Sequence, residues 1–122
     1  MNDRSVMIGL GIDAVDVDRF ETVLARSPRM AERLFTEDER GLTPVARLAA
    51  RFAVKEAVMK AMGVGLGAFG WHEVETVRSD SGAPELVLRG AAATLATGQG
   101  ITRWMVSLSH TDRTAVAVVA AL

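Results

Sequence analysis

The sequence AARFAVKEAVMKAMG, residues 49–63, is apolar on most sides when its residues are placed on a helix. Thr43-Pro44 is a typical helix start and Gly63 a typical helix end, so the pattern predicts one long helix from residue 43 to about Met62. An ordinary surface helix has a single apolar stripe, so we expect this helix to be central. Glu56 and Lys60 are spaced i,i+4 on one of its faces, which on a surface gives only a weak ion pair.

The segments around this helix predict an α+β domain. Residues 6–13 are typical of a strand that is apolar on both faces, which predicts a central strand with Asp13 at its end. Thr36 and Glu39 form a capping box at a short helix. The other predicted elements are helices at 17–25, 28–34 and 90–99, strands at 73–79 and 85–89, and a final antiparallel hairpin of residues 103–110 and 113–121. The chain has 122 residues and no internal linker, which predicts a single domain, residues 1–122.

The composition argues against several classes of protein. Lys and Arg number 14 and Asp and Glu 15, so the net charge of -1 argues against nucleic-acid binding driven by charge. No apolar run reaches the roughly 18–20 residues of a membrane-spanning helix, and the run near the N-terminus is too short for a signal peptide. The chain has no cysteine, which excludes disulfides and thiolate metal sites and favours the reducing cytoplasm. We therefore expect neither a nucleic-acid nor a membrane partner.

Three charged residues are the first candidates for a site. Asp13 follows the first predicted strand, and Glu56 and Lys60 lie on the long helix. Two carboxylates from different elements, together with a lysine, could hold a divalent cation against phosphates. The alternative for Asp13 is a helix or turn cap, a role in which aspartate is common. Asp16 and Asp18 are more typical of a helix start, where acidic residues are favoured.

Two familiar motifs do not carry their usual functions here, although the glycine-rich segment could still be a flexible loop beside a ligand. Gly65, Gly67 and Gly70 match G-x-G-x-x-G, but a helix precedes them and a strand follows, the reverse of the dinucleotide-binding order. Ser109 and His110 suggest a hydrolase as a rival enzyme, but adjacent strand residues point to opposite faces, so the two are poorly placed to pair. His110 could instead contact a phosphate or a base ring, although a lone histidine is more often structural.

Arginines are frequent in the first two short helices: Arg19, Arg26, Arg29 and Arg33. The simplest interpretation is a solvated charged face. The alternative is a docking surface for an acidic helix, which an array of positive charges would attract.

Three segments together resemble one enzyme family. They are Gly9-Leu10-Gly11-Ile12-Asp13 with Arg19-Phe20, then Arg51 to Gly63 containing Lys55-Glu56-Ala57 and Lys60-Ala61, and finally Ser107-Leu108-Ser109-His110-Thr111. In this order and spacing, the chain resembles the holo-acyl-carrier-protein synthase type of 4′-phosphopantetheinyl transferase over nearly its whole length.

The resemblance implies a fold, an assembly and a reaction. The fold would be an antiparallel sheet wrapped around a long central helix, and the assembly a homotrimer with active sites at the subunit interfaces. The reaction would move 4′-phosphopantetheine from coenzyme A to a serine of apo-acyl carrier protein and release 3′,5′-ADP. Fatty-acid carriers are the default substrates, and polyketide carriers remain an alternative.

The resemblance also implies roles for individual residues. Asp13 and Glu56 match the ligands of Mg²⁺, and Glu56 would take the serine proton, directly or through a metal-bound water. Lys60 would neutralise or protonate the leaving group. The residues expected to bind the coenzyme are Arg51, Lys60, Gly63, Gly65, His110 and Thr111, and those expected to dock the acidic carrier protein are Arg19, Phe20, Arg26 and Arg29.

One segment departs from the family pattern. Residues 41–44 lack the basic pair that some relatives place on the 3′-phosphate of coenzyme A, and Arg47 is the candidate to replace it. A rival interpretation is a non-catalytic trimeric module that binds acidic helices through its arginines. That interpretation leaves Asp13, Glu56 and Lys60 without a purpose.

Overall fold

The computed structural model of the protein describes residues 6–122, so the first five residues of the predicted domain lie outside this range. The α+β prediction is confirmed. The elements, in chain order, are β1 Gly9–Asp16, α1 Val17–Arg26, α2 Met30–Leu34, α3 Glu37–Arg40, α4 Val45–Met62, a 3₁₀ turn Trp71–Glu73, β2 Val74–Arg78, β3 Pro84–Leu88, α5 Gly90–Gly98, β4 Trp104–His110 and β5 Thr114–Ala121.

The long helix α4 is the centre of the molecule, as predicted. It begins after Pro44 and ends at Gly63, whose φ of 68° is the left-handed conformation of a glycine cap. Side chains on several of its sides are completely buried, Ala53, Val54 and Val58 among them. A helix with one apolar stripe could not be covered in this way, which explains why its sequence is apolar almost all round.

Strands β1, β5 and β4 form an antiparallel sheet in that order, and β2 and β3 form a separate hairpin. The sheet packs against α4 through alternate residues of β5, including Ala117 and Val119, which are buried. Side chains of the opposite set, such as Val116 and Val118, are more than a third exposed. The sheet therefore covers the helix with one face and leaves its other face open.

Gly9 and Gly11 allow α4 to lie directly against β1. A Cβ on Gly9 would lie 1.8 Å from the carbonyl oxygen of Ala61, and one on Gly11 would lie 1.8 Å from that of Ala57. A side chain at either position would push helix and strand apart. Because side chains alternate along a strand, Asp13 points to the same face as the two glycines, toward α4.

The predicted position of the first strand is wrong in two respects. β1 runs over Gly9–Asp16 rather than residues 6–13, so Asp13 lies inside the strand and not at its end. β1 is also an edge strand that pairs only with β5, rather than a central strand. On the outer face of β1, the apolar side chains of Leu10 and Ile12 are 59% and 62% exposed. Apolar residues on both faces suggested burial on both, whereas residues 6–122 cover only the inner face.

The predicted helix caps are confirmed. The Oδ1 of Asp16 accepts the Arg19 N–H at 2.9 Å at the start of α1. Thr36 and Glu39 form the reciprocal capping box of α3. No helix within residues 6–122 is long and apolar enough to span a bilayer.

Candidate active site

The first cleft lies where α4 crosses β1, and it brings together Asp13, Glu56 and Lys60. The ammonium Nζ of Lys60 donates to Oδ1 of Asp13 and to the carbonyl oxygen of Ile12, both at 2.9 Å. Lys60 thus forms an ion pair with Asp13, which connects α4 to β1. The i,i+4 spacing had suggested a weak surface ion pair between Lys60 and Glu56 instead. The cleft has a volume of about 710 Å³, enough for part of a large ligand.

Glu56 has the perturbed carboxyl group of this cleft. Burial raises its pKa above the ordinary value, and the nearby Asp13 raises it further, while Lys60 acts in the opposite direction. The two effects have different causes: burial removes the water that would stabilise the charged carboxylate, and the Asp13 carboxylate repels a second negative charge. A carboxylate with a raised pKa is a better proton acceptor than an exposed one.

The other half of the first cleft is apolar and aromatic. Phe20 and Phe52 stack with ring centroids 5.2 Å apart, and Phe52 and Trp71 follow at 5.4 Å. Leu34 and Leu66 complete this side of the lining. The cleft therefore has a charged end that suits phosphate chemistry and an apolar end that suits an uncharged part of the same ligand.

The donor set of the first cleft fits magnesium better than a transition metal. Residues 6–122 contain no group of three or more His, Cys, Asp or Glu side chains placed to hold a metal ion. Asp13 and Glu56 instead offer two carboxylates in the lining of the same cleft. Magnesium is commonly bound by one or two carboxylates and completes its octahedron with waters and substrate phosphates.

A second cleft, at the other end of α4, is basic. Its lining includes Arg47, Arg51, Arg78 and His110. Burial lowers the pKa of Arg51, and Arg78 lowers it further because the two positive charges repel, while Glu39 raises it. Arg51 is only 5% exposed, and its Nε has no hydrogen-bond partner among the described residues. Positive groups held together at this cost are suited to an anion.

The two clefts do not merge within one chain. Arg51 and Glu56 are five residues apart on α4, which separates their directions by about 140° and their positions by roughly 7.5 Å along the axis. The structure therefore brings Asp13, Glu56 and Lys60 together, and it brings Arg51 and His110 together elsewhere.

Lys55, the neighbour of Glu56 in the sequence, is buried and only 1% exposed. Its Nζ donates to Oε1 of Glu39 at 2.9 Å and to the Trp71 carbonyl at 2.8 Å. A third acceptor is the carbonyl oxygen of Val74. Burial lowers the pKa of Lys55, and Glu39 opposes that effect. Three acceptors match the three N–H groups of an ammonium, so Lys55 is an internal charge with all its donors used.

The other residues expected to bind coenzyme lie in loops. The Gly63 N–H donates to the Lys60 carbonyl at 3.1 Å as part of the helix cap, so it is less available to a phosphate than the exposed Gly65 that follows. Thr111 forms the turn between β4 and β5, where its Oγ1 accepts the N–H groups of Arg113 and Thr114. Thr111 directly follows His110 and is exposed, so the end of that strand carries both residues.

The residues expected to dock the carrier divide into two groups. Arg19, Arg26 and Arg29 are exposed, on α1 and just before α2. Phe20 is only 7% exposed and packs in the aromatic row at the edge of the first cleft. The arginines can thus meet a partner directly, whereas Phe20 supports the helix that carries them.

Sequence reasoning missed Arg78 and Trp71. Arg78 ends β2 and reaches the second cleft only because the β2–β3 hairpin folds back toward α4. Trp71 follows the glycine-rich loop and forms a wall of the first cleft through its contact with Phe52. The position of Trp71 directly after a glycine-rich loop is a sequence signal that could have indicated this wall. The sequence contains no comparable signal for the position of Arg78.

Comparison with known proteins identifies the family to which the chain belongs. A model of the 4′-phosphopantetheinyl transferase superfamily matches residues 9–119. A holo-[acyl-carrier-protein] synthase from Frankia casuarinae is 50% identical over 115 residues, which are 94% of this chain and 97% of that protein.

Two solved structures show the same fold. The crystal structure of a holo-[acyl-carrier-protein] synthase from Neisseria meningitidis matches with a TM-score of 0.87 and 31% identity, over 96% of this chain and 99% of that chain. The Helicobacter pylori holo-[acyl-carrier-protein] synthase in complex with coenzyme A matches with a TM-score of 0.82 and 29% identity, over 93% and 99%. This chain therefore belongs to the holo-acyl-carrier-protein synthases of the 4′-phosphopantetheinyl transferase superfamily, a family of transferases.

Proposed function

We propose that the protein transfers 4′-phosphopantetheine from coenzyme A to a serine of an apo-acyl carrier protein and releases 3′,5′-ADP. The observation that carries this proposal is the convergence of Asp13, Glu56 and Lys60 at one end of a cleft whose other end is apolar. Coenzyme A has a pyrophosphate next to an uncharged pantetheine arm, so its two parts match the two ends of the cleft. The relative from Helicobacter pylori, in complex with coenzyme A, supports this choice of substrate.

The transfer is a displacement at the phosphorus that bears the pantetheine arm. The serine Oγ forms a bond to this phosphorus, the bond to the bridging oxygen breaks, and 3′,5′-ADP leaves with the electron pair. Glu56 takes the serine proton, directly or through a water, and its raised pKa favours that role. The Lys60 ammonium neutralises or protonates the leaving group.

Asp13 and Glu56 are the residues that would hold magnesium in this site. When bound, the ion would neutralise charge on the pyrophosphate oxygens, as divalent ions do in phosphoryl transfer. The two carboxylates alone would repel a pyrophosphate, so the site requires a cation beyond Lys60 to accept such a substrate.

The second cleft is the proposed site of the coenzyme's 3′-phosphate. Arg47, Arg51, Arg78 and His110 surround it, and arginine binds phosphate through paired N–H groups. Arg47 and Arg78 then replace the basic pair that residues 41–44 lack. Thr111 and Gly65 remain further candidates for contacts to the coenzyme.

The protein is proposed to act as a homotrimer with shared active sites. One coenzyme molecule cannot easily occupy two clefts on different sides of α4, but the first cleft of one copy can face the second cleft of another. The outer face of the sheet is the proposed contact surface because several of its apolar side chains are exposed in the part of the chain that the structure describes: Leu10, Ile12, Met105, Val116 and Val118.

The carrier protein is proposed to dock on α1 and the start of α2. Arg19, Arg26 and Arg29 are exposed there, and Arg19 also lines the first cleft. An acidic partner helix would be attracted to these charges and guided to the cleft. Because the chain has no cysteine, we expect it to work in the cytoplasm, where thiols stay reduced.

The test is incubation with an apo-carrier protein, coenzyme A and Mg²⁺, followed by intact-mass spectrometry. We expect the carrier to gain one 4′-phosphopantetheine group. A complex that forms without mass gain would favour the non-catalytic binding module instead. A panel of fatty-acid and polyketide carriers would identify the natural class, which we expect to be the fatty-acid carrier.

A further inference from the structure

Lys55 has contacts that neither the proposed chemistry nor coenzyme binding uses. It is adjacent to Glu56 in sequence, but its side chain points into the protein, where it is 1% exposed. Two of its three acceptors, the carbonyl oxygens of Trp71 and Val74, belong to the 3₁₀ turn and to the start of β2. A single buried ammonium thus connects α4 to the backbone on both sides of the turn that carries Trp71.

This turn forms a wall of the first cleft. The Trp71 ring stacks on Phe52 with centroids 5.4 Å apart, and both residues line the cleft that contains Glu56. The backbone at Trp71 follows the glycine-rich segment 63–70, which gives it little stiffness of its own. Trp71 also packs against the hydrophobic core. The position of the indole therefore depends on that packing, on the contact with Phe52 and on the hydrogen bond that Lys55 donates to the Trp71 backbone carbonyl.

We propose that Lys55 is a positioning residue for the transfer reaction, acting through the Trp71 wall of the first cleft. The inference rests on the proposed function, and it specifies which part of the substrate the wall meets. The pantoyl part of the coenzyme is attached to the reacting phosphorus and carries two methyl groups. With the phosphate at Asp13 and Glu56, those methyl groups lie beside the apolar side of the cleft. Lys55 therefore controls binding of the coenzyme arm without touching it.

A purely structural role for Lys55 would give different kinetics. The ammonium also pairs with Glu39, which is 3% exposed and has no partner for its Oε2 among the described residues. Lys55→Met leaves that carboxylate buried without its cation and is expected to destabilise the protein. Lys55→Met with Glu39→Gln removes both charges, and the glutamine oxygen can still accept the Thr36 N–H of the capping box. The double variant thus avoids the unpaired buried carboxylate while it removes the bonds from Lys55 to Trp71 and Val74.

The experiment measures steady-state transfer with the double variant, with Glu39→Gln alone and with wild type, each well below its melting temperature. We expect KM for coenzyme A to rise about tenfold or more in the double variant, with kcat within about threefold and KM for the carrier unchanged. This pattern is that of lost binding to a non-reacting part of the substrate. A purely structural role lowers the active fraction and leaves KM unchanged.

A second measurement follows Trp71 directly, because the chain has only two tryptophans. In a Trp104→Phe background, acrylamide quenching of Trp71 fluorescence is expected to increase in the double variant and to remain at the wild-type value in Glu39→Gln. Unchanged KM for coenzyme A together with unchanged quenching would overturn the proposal. A wild-type protein that transfers nothing would instead overturn the proposed function, so the two failures are distinguishable.

Discussion

The ammonium of Lys60 lies 2.9 Å from Oδ1 of Asp13, although 47 residues separate the two in sequence. Their side chains are 53% and 18% exposed, so the pair stabilises the fold by only about 0.2–1 kcal/mol. The contact is therefore important for the placement of charge at the end of the cleft and contributes little to stability.

Asp13→Asn is expected to reduce transfer by about 100-fold or more, the scale of losing a group that stabilises transition-state charge. The free energy of unfolding should change by less than about 1 kcal/mol, because the ion pair with Lys60 is partly exposed. Intact-mass assays and urea unfolding measure the two effects. Asp80→Asn, at the tip of the β2–β3 hairpin, is the matched control and should retain wild-type activity. An equal loss of activity in Asp13→Asn and Asp80→Asn would show that Asp13 has no specific role in the site.

Glu56→Gln is expected to abolish transfer and to stabilise the protein at neutral pH. The pKa of Glu56 is raised in the folded state, so the folded protein holds this proton more tightly than the unfolded chain. Stability is therefore lost as pH rises through the interval between the ordinary and the raised pKa, and the penalty persists above it. Glutamine cannot ionise and avoids the penalty. Thermal melts in EDTA should show the stabilisation at pH 7 and its disappearance below the ordinary carboxyl range, whereas a gain independent of pH would contradict this account.

Gly11→Ala is expected to destabilise the protein by about 1–3 kcal/mol or more, because the new Cβ would lie 1.8 Å from the Ala57 carbonyl oxygen. The same displacement would move Asp13 away from α4 and lower transfer even in the folded fraction. Gly98→Ala is the control, since nothing lies within 4 Å of its added Cβ, and it should be neutral or stabilising by up to about 1 kcal/mol. Denaturant unfolding and activity per folded molecule test both claims.

Arg78→Gln is expected to weaken discrimination between coenzyme A and its analogue without the 3′-phosphate. Wild type should prefer coenzyme A in kcat/KM, and the variant should lose about tenfold of that preference, the scale of one charge-assisted hydrogen bond. Arg103→Gln changes an exposed arginine that directly precedes β4, at the opposite end of that strand from His110, and should leave the preference unchanged. If the Arg78 variant keeps the full preference, the 3′-phosphate binds elsewhere.

Ile12→Lys is expected to dissociate the proposed trimer. Ile12 is 62% exposed on the outer face of β1, so a lysine there should be tolerated by an isolated chain and should be costly only if a second copy covers that face. Light scattering with size-exclusion chromatography should give a trimer for wild type and for the control Ser81→Lys, and a monomer for Ile12→Lys. A monomeric wild type would refute the assembly.

Much of the fold could be predicted because its signals are local. Pro44 and Gly63 bound α4 at the predicted ends, and Thr36 with Glu39 forms the predicted capping box. The edge position of β1 could not be predicted, since Leu10 and Ile12 are apolar residues typical of a buried strand. Their exposure becomes clear only from the structure, in which β1 pairs with β5 on one side.

The site was predictable to the extent that sequence spacing determines position. Glu56 and Lys60 share a helix face by periodicity, and Asp13 joins them because two glycines bring β1 against α4. The sequence could not predict that Lys55 is buried while its neighbour Glu56 lines the first cleft. The reason is that the hydrogen-bond acceptors of Lys55 lie in α3 and around the 3₁₀ turn. Such partners depend on how distant segments pack, and helical periodicity carries no information about them.

In the proposed trimer with shared sites, the placement of the two clefts on different sides of α4 would have a genetic consequence. In a shared site, a chain that lacks Asp13 still supplies its arginines to a neighbour, and a chain that lacks Arg51 still supplies its carboxylates. Two alleles, each inactive when expressed alone, would then complement one another in mixed assemblies, since some interfaces would combine an intact half from each. Loss-of-function mutations in this protein would accordingly fall into two complementation groups, one for each cleft.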